Sequence, residues 1–302
     1  MINNITLIKV HSDIIIYLNY LKDGRLVSCS NDMTLKIYKQ NTFEIQFIIK
    51  EHKYYVNSFT ELNNNKIITC SFDTTIKIID LIDDKNYKIV QTLYGHLSNV
   101  LKIIEINEKT LISISWDKSM KIWKLNMNNN YFCFQTINIQ NTISNCNIIK
   151  LNNKEFCTVT YDENCLKFWT IERYSNTNTL YNIDVSWNIN SMCLLNDDLL
   201  CVAGNNYNGF YIIKISTHNI LKKITGPKKI ITLFKCVQNF ILCVIEDKNE
   251  NINICKYKFN DLNLEKVKEK EKAHNKMIYS CVEYKDEIIV SGGEDLIIKL
   301  WK

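Results

Sequence analysis

The feature that most constrains the fold is a spacing between histidine and aspartate that recurs along the chain. Four of the five histidines precede an aspartate by 21 residues. These pairs are His11 and Asp32, His52 and Asp73, His96 and Asp117, and His274 and Asp295. A spacing kept this often indicates that one structural unit has been copied along the chain, so the period must be established before any local structure is predicted.

The whole chain can be aligned as seven copies of this unit. Each copy has a polar turn, then an apolar run of strand length, and then an acidic or amide residue. These last residues are Asp32, Asp73, Asp117, Asp162, Asn206, Asp247 and Asp295. Successive copies are therefore 41 to 48 residues apart. We expect residues 1–302 to form one domain of seven repeats, although the length alone would suggest two domains.

The third copy shows what one unit contains. Its apolar runs are Val100–Ile106, Leu111–Trp116, Met120–Leu125 and Phe132–Ile139, with polar turns between them. Short β-rich runs separated by Asn and Asp turns predict antiparallel strands. No segment of the chain shows a sustained helical period. Four strands in about 40–45 residues is the size of one β-propeller blade.

The third and last copies resemble WD40 repeats. The residues that carry the resemblance are Gly95, His96, Ser113, Asp117 and Trp123 in the third copy, and His274, Ser291, Asp295 and Trp301 in the last. The resemblance implies that histidine, serine, aspartate and tryptophan form a hydrogen-bonded network inside each blade. Such a network would satisfy both ring nitrogens of the histidine, as a buried polar group requires.

Other copies depart from this pattern. The partial matches are His11, Ser28, Asp32 and Tyr38 in the first copy, and His52, Thr69 and Asp73 in the second, where Ile79 replaces tryptophan. The fourth copy keeps Thr158, Asp162 and Trp169 but has Asn141 in place of histidine. We expect the fifth and sixth copies to be degenerate blades, because they retain the fewest of these residues.

The ends of the sequence suggest how the ring closes. The chain stops at Trp301-Lys302, where a third strand would end, so the last blade lacks a fourth strand. Residues 2–10 resemble the N-terminal WD40 strand that completes the last blade. Such pairing would remove an exposed strand edge that favours aggregation. The sequence therefore predicts an all-β, seven-bladed β-propeller of four-stranded antiparallel blades, closed by the N-terminal strand joining the last blade.

Cysteine usage and hydrophobicity indicate an intracellular protein. The 12 cysteines include no C-x-x-C pair, and Cys29 and Cys70 recur at one position of a predicted strand. We expect them to be small buried hydrophobic residues in a reducing compartment, with no metal site and no cofactor. We expect no signal peptide, because the first residues are too polar and no small-residue cleavage site follows, and no apolar run approaches the ~20 residues that span a bilayer. The expected location is the cytoplasm, with the nucleus as the alternative.

The charge pattern argues against binding to nucleic acid or membranes. The net charge of +5 is mild, and Arg25 and Arg173 are the only arginines. A dedicated phosphate reader favours the arginine fork. The segment KVKEKEK at 266–272 alternates in sign and is interpreted as a solvated strand, with a nucleic-acid or membrane patch as the alternative. We therefore expect protein or peptide partners and a monomeric propeller.

The repeated histidine, serine and aspartate must be weighed against a catalytic triad. A triad needs one arrangement with an exposed nucleophile and an oxyanion hole, whereas this set recurs once per well-formed blade. The sequence favours a non-enzymatic scaffold or adaptor. The alternative is a substrate receptor or structural subunit of a ubiquitin ligase, ribosome-associated or trafficking complex. An enzyme on a propeller is a further alternative, which an unpaired, perturbed acid or base in the channel would favour.

The position before each turn aspartate predicts a partner surface. It holds Asn31, Phe72, Trp116, Tyr161, Asn205, Glu246 and Glu294, which the repeat places on one face of the ring. Three consecutive copies carry aromatic residues there, with Tyr54, Tyr55 and Trp187 in entry loops. Aromatic residues are enriched among interface anchors, although these could instead pack on their own neighbours. His218, outside the spacing pattern, is expected to be exposed near a turn.

Overall fold

The computed structural model describes residues 6–139, 147–160, 165–171, 178–184, 189–204, 209–226, 229–235, 240–247, 249–284 and 288–301. Within these residues the secondary structure consists of 28 β-strands, and no helix there is long and apolar enough to cross a membrane. The strands form seven antiparallel sheets, which are the blades of a propeller around a central axis. The prediction of an all-β, seven-bladed propeller is confirmed.

The first three complete blades follow strand β1 (Thr6–Lys9), each with four consecutive strands running from the axis outward. Blade one contains β2 (Ile15–Tyr20), β3 (Leu26–Ser30), β4 (Leu35–Tyr38) and β5 (Ile45–Ile49). Blade two contains β6 (Val56–Glu61), β7 (Ile67–Ser71), β8 (Ile76–Leu81) and β9 (Tyr87–Leu93). Blade three contains β10 (Val100–Asn107), β11 (Thr110–Ser115), β12 (Ser119–Leu125) and β13 (Tyr131–Asn138).

The next three blades repeat this order. Blade four contains β14 (Asn147–Lys150), β15 (Glu155–Thr160), β16 (Cys165–Thr170) and β17 (Asn178–Asp184). Blade five contains β18 (Ile189–Asn196), β19 (Leu199–Gly204), β20 (Gly209–Lys214) and β21 (Asn219–Thr225). Blade six contains β22 (Lys229–Lys235), β23 (Phe240–Glu246), β24 (Ile252–Asn260) and β25 (Asn263–His274).

Blade seven differs because only three of its strands are consecutive in the sequence. They are β26 (Ile278–Glu283), β27 (Ile289–Gly293) and β28 (Ile297–Trp301). Strand β1 lies antiparallel beside β28, with Thr6 opposite Leu300 and Lys9 opposite Ile297. The idea that this pairing is what closes the ring stays a prediction, and deleting the strand tests it.

In the part of the chain that the structure describes, the apolar core forms seven clusters, each between two neighbouring blades. Blade seven packs on blade one, for example, through Val290 and Ile298 against Ile15 and Leu26. The second strand of a blade is covered by neighbouring blades on both faces, so it is fully buried in β3, β7 and β11. Among the nine cysteines whose burial the structure describes, only Cys133 is exposed. The others fill these cores, and burial raises the pKa of the Cys29 thiol well above its ordinary value.

The turns between second and third strands are held by aspartate in a way the sequence did not reveal. Asp117 Oδ1 accepts a hydrogen bond from the Ser119 backbone N–H at 2.9 Å and from its hydroxyl at 2.6 Å. The residue with positive φ is the one after the aspartate, such as Lys118 at 61°. Non-glycine residues rarely adopt this conformation. We infer that the aspartate side chain stabilises it by closing the turn.

Candidate interaction surface

Blade three contains a buried chain of hydrogen bonds that joins its second and third strands to the entry loop before the first strand and to the turn after the second. Trp123 Nε1 donates to Ser113 Oγ at 2.8 Å. Ser113 Oγ lies 2.7 Å from His96 Nε2, and His96 Nδ1 lies 2.7 Å from Asp117 Oδ2. His96 and Trp123 are 5% and 2% exposed, and Ser113 is fully buried. Every polar side chain of this network therefore has a partner, as burial requires.

The donors and acceptors in this chain fix where the protons lie. A carboxylate only accepts, so His96 donates from Nδ1, and its Nε2 accepts from the Ser113 hydroxyl. Burial lowers the pKa of His96, and the hydrogen bond to Asp117 offsets this only in part. Burial would raise the pKa of Asp117, but hydrogen bonds from His96, Ser119 and the Leu97 backbone hold it well below its usual range. The network thus contains a neutral imidazole and an ionised carboxylate.

The same network recurs in other blades, where some of its members are replaced or missing. In blade seven His274 Nδ1 lies 2.7 Å from Asp295 Oδ2, and His274 Nε2 lies 2.7 Å from Ser291 Oγ. Trp301 Nε1 donates to Ser291 Oγ at 2.8 Å. In blade one His11, Asp32 and Ser28 keep the arrangement, and the Tyr38 hydroxyl replaces the indole at 2.8 Å from Ser28 Oγ. In blade two the two ring nitrogens of His52 lie 2.8 Å from Asp73 Oδ2 and 2.8 Å from Thr69 Oγ1. Ile79 stands in place of tryptophan and has no polar group to add.

The remaining blades lack the complete set in their described residues. In blade four Trp169 Nε1 donates to Thr158 Oγ1 at 2.8 Å, while Asn141 and Asp162 lie outside the described residues. Blades five and six still form four strands, but buried Val202 and Cys243 occupy the hydroxyl position. The histidine networks therefore support individual blades. Because Ser113 and Ser291 are fully buried, neither hydroxyl can reach a substrate as a nucleophile.

Replacing His96 by alanine is expected to lower the free energy of unfolding by about 1–3 kcal/mol. The change leaves the buried Ser113 hydroxyl without its acceptor and Asp117 without one donor. Urea unfolding monitored by tryptophan fluorescence measures the loss. The matched control is Asn128→Ala in the exposed turn of the same blade, which should be nearly neutral. Equal stability of the two variants would contradict the structural role of the network.

His218 corrects an expectation from the sequence. It was expected to be exposed, but it is half-buried, and its ring meets the Phe168 ring edge-to-face at 4.7 Å between centroids. Its backbone has a positive φ of 53°. Sequence spacing gave no sign of this contact, because Phe168 lies in the preceding blade. A His218→Ala change therefore removes packing, so it is not the neutral substitution that an exposed residue would allow.

In blades one, two, three and seven, the residues before the turn aspartates lie on one face of the ring, beside the entry loops of the first strands. Their backbone N–H groups donate to those loops in a repeated pattern, as in Phe72 to Tyr55 at 3.0 Å and Trp116 to Asn99 at 2.9 Å. Asn31 and Glu294 make the equivalent bonds at 3.0 Å. We call this the top face, formed by these turns and entry loops.

Three aromatic residues on the top face of blades two and three pack together. The Tyr55 and Phe72 ring centroids are 5.3 Å apart, and those of Phe72 and Trp116 are 5.1 Å apart. We call Tyr55, Phe72 and Trp116 the aromatic ridge. Phe72 and Tyr55 are half-buried by this packing, whereas Trp116 is 44% exposed. Both sequence interpretations therefore apply, since the rings pack on one another and still present a surface.

Apolar side chains flank the aromatic ridge. Tyr54 is 59% exposed in the entry loop of blade two, and Leu97 is 89% exposed in that of blade three. Leu97 was missed in the sequence, although an apolar residue directly after the Gly95-His96 pair was the available signal. Tyr161 and Trp187, the other predicted contacts, lie outside the described residues. The geometry thus brings together Tyr54, Tyr55, Phe72 and Trp116 from the predicted set.

The first strands of the blades line a central channel. Among the described lysines of these strands, Lys102 has a strongly shifted pKa. The channel has a volume of about 600 Å³, and Lys102, Tyr17 and Glu283 contribute to its lining. Burial lowers the pKa of Lys102 to about 8. However, Lys102 has an interaction partner, and Glu283 Oε1 accepts from Lys256 Nζ at 2.5 Å. Each of these two groups therefore has a partner, although the buried Oε2 atom of Glu283 accepts no hydrogen bond from the described residues.

Comparison with known proteins identifies three of the repeats. A family model described as WD domain, G-beta repeat matches residues 3–39, 43–80 and 87–124. No curated protein matches the chain. The third matched segment begins with β9, the outer strand of blade two, and ends with β12 of blade three. The sequence repeat is therefore offset from the blade by one strand, so each repeat spans the junction between two blades.

Proposed function

This chain is a WD40-repeat protein, and we propose that it acts as a non-enzymatic scaffold or adaptor whose top face binds a protein partner. The proposal rests mainly on one observation, the aromatic ridge with its exposed end at Trp116. Propellers of this family commonly serve as protein-interaction scaffolds. The binding surface in the proposal consists of the ridge together with Tyr54 and Leu97.

The shape of this surface favours binding. Exposed apolar side chains that cluster on a soluble protein usually mark an interaction site. Trp116 rests against Phe72, which in turn rests against Tyr55. A side chain supported in this way loses little conformational freedom on binding, so more of its buried area contributes to affinity. Aromatic residues are also the commonest energetic anchors of interfaces.

Charges around the ridge would orient the partner. Lys53, beside Tyr54, is exposed. Across the top face, Glu294 accepts a hydrogen bond from the Tyr279 hydroxyl at 2.7 Å. Burial and this hydrogen bond raise the pKa of Tyr279 to about 12, so the tyrosine stays neutral and the glutamate supplies the local charge. A partner would meet Lys53 at blade two and Glu294 at blade seven, and such asymmetry favours one orientation.

The test is a triple variant, Tyr54→Ser with Leu97→Ser and Trp116→Ser, of the full-length protein. Truncating one hot-spot residue costs about 2 kcal/mol or more, roughly a thirtyfold loss of affinity. We therefore expect partners that co-purify with the wild-type protein to be lost, as measured by affinity purification and mass spectrometry. Phe72 is left intact because removing a half-buried ring could disturb the blade itself.

The matched control removes three exposed apolar groups elsewhere. Ile48, Ile82 and Val90 are 54%, 52% and 38% exposed in blades one and two, away from the top-face turns. Their triple change to serine should keep the partners. Both variants are first checked for an unchanged melting temperature. If the top-face variant is folded and retains every partner, the assignment is wrong and the partner must bind the sides or the opposite face.

A further inference from the structure

A groove lies between blades three and four on the face opposite the aromatic ridge. It has a volume of about 1040 Å³, and its lining includes Lys109, Lys124 and Lys154. Lys109 lies in the turn between β10 and β11, whereas Trp116 lies at the other end of β11. Because β11 crosses the blade from one face to the other, the groove and the ridge are on opposite faces. We call this the basic groove.

The basic groove carries positive charge that the described residues leave uncompensated. No carboxylate is among its lining residues, and in the described part of the chain none of its three lysines forms an ion pair. The nearest acids in the sequence are Glu108, on the exposed turn, and Glu155, which accepts from Asn152 Nδ2 at 2.6 Å. The charge is therefore available to an external anion.

A second groove on the same face shows that this composition is not a general property of the ring. The groove between blades one and two has a volume of about 530 Å³ and is lined by Asp23, Asp83 and Asp84 as well as Arg25 and Lys39. Its cations are already paired. Arg25 Nη2 lies 2.7 Å from Asp23, and Lys39 Nζ lies 3.0 Å from Glu44. The two grooves thus differ in charge although they occupy equivalent places between blades.

The lysines of the basic groove sit on a fixed framework. The Leu125 backbone N–H donates to the Lys109 carbonyl at 2.9 Å, and Ile171 donates in the same way to Lys154 at 2.8 Å. Lys124 Nζ lies 3.5 Å from the centre of the Phe134 ring, a cation–π contact that limits its movement. The side chains of Leu125 and Ile171 also contribute to the lining. The groove therefore offers three cations beside two apolar groups.

We propose that the basic groove binds an acidic peptide segment of a protein partner, with carboxylates at Lys109, Lys124 and Lys154 and apolar side chains at Leu125 and Ile171. A peptide fits better than a nucleic acid, because the lining has no arginine and the Phe134 ring beside Lys124 is already covered by that ammonium group. Phosphate recognition favours the arginine fork, and single-stranded nucleic acids bind by stacking on aromatic rings. The site is independent of the top-face proposal, and the two together would let one propeller bridge two partners.

The experiment measures fluorescence anisotropy of a short labelled peptide that alternates glutamate with phenylalanine, titrated with the full-length protein. The matched probe has glutamine in place of each glutamate. We expect binding of the acidic peptide to weaken steeply with salt, because exposed charge pairs are screened. The neutral peptide should bind at least about tenfold more weakly, since several ion pairs are lost.

Two triple variants test whether the acidic peptide binds in the basic groove. Lys109→Gln with Lys124→Gln and Lys154→Gln should weaken acidic-peptide binding by about tenfold or more. Lys39→Gln with Lys85→Gln and Lys88→Gln changes the net charge equally in blades one and two, and should weaken it by less than about twofold. An unlabelled oligothymidylate is the competing probe. Equal effects of the two variants, no binding by the wild-type protein, or tighter binding of the oligothymidylate than of the peptide would overturn the proposal.

Discussion

Deletion of Met1–Lys9 is expected to lower the melting temperature by roughly 10 °C or more, or to make the protein aggregate. Strand β1 lies opposite Ile297–Leu300 of β28, so its removal would leave the outer edge of blade seven unpaired. The backbone donors and acceptors of that edge would then face solvent or a second molecule. Thermal unfolding by circular dichroism and size-exclusion chromatography measure the two outcomes.

The control for this truncation removes only residues 1–4, which precede β1. That shorter deletion should leave the melting temperature unchanged, because the strand pairing is retained. The comparison separates the role of the strand from a general effect of shortening the chain. A protein that lacks Met1–Lys9 yet remains monomeric and as stable as the full chain would show that the ring does not depend on this strand.

The repeat made most of the fold predictable, because the period alone fixes the number of blades. The histidine networks were predictable for a related reason. His96, Ser113 and Asp117 lie at the same relative positions as their counterparts in blade seven, so their register in the sheet is the same. The sequence did not predict the positive φ at Lys118 in the turn. No pattern of residue types marks that position, since methionine, threonine and leucine occupy it in other blades.

Contacts between blades were less predictable than contacts within them. The repeat placed Phe72 and Trp116 on one face, but only the angle and distance between blades decide whether their rings touch. The contact between His218 and Phe168 was missed for the same reason. The basic groove was also invisible, because Lys109, Lys124 and Lys154 belong to different strands and turns. In a chain with 37 lysines and arginines, no local spacing distinguishes them.

Acidification from about pH 7 to about pH 5 is expected to destabilise the protein. Burial lowers the pKa values of His11, His96 and His274, whereas in the unfolded chain they return to about 6.5. Below that value the unfolded state binds protons that the folded state does not, so the free energy of unfolding falls with pH. Each of these histidines lowers the stability by at most about 1.4 kcal/mol per pH unit, and only between its unfolded pKa and its lower folded-state pKa.

The carboxylates of the networks extend this acid sensitivity in the same direction. The pKa values of Asp32, Asp73, Asp117 and Asp295 lie below the usual range, because hydrogen bonds to each carboxylate outweigh the effect of burial. Their stabilisation is present above the unfolded value of about 4 and is lost as the pH falls below it. The two groups of residues therefore act in successive pH windows, first the histidines and then the aspartates.

Urea unfolding at about pH 7, 6 and 5 measures how the free energy of unfolding changes in the pH range where the histidines titrate. The variant His96→Gln tests whether His96 contributes to that change. Protonating the wild-type ring would require His96 Nε2 to donate to Ser113 Oγ, which already accepts from Trp123. The variant lacks this titrating group, so it should be less stable at about pH 7 but lose stability more slowly as the pH falls. A wild-type stability that is constant or rises on acidification would show that the histidines are not held neutral by the blades.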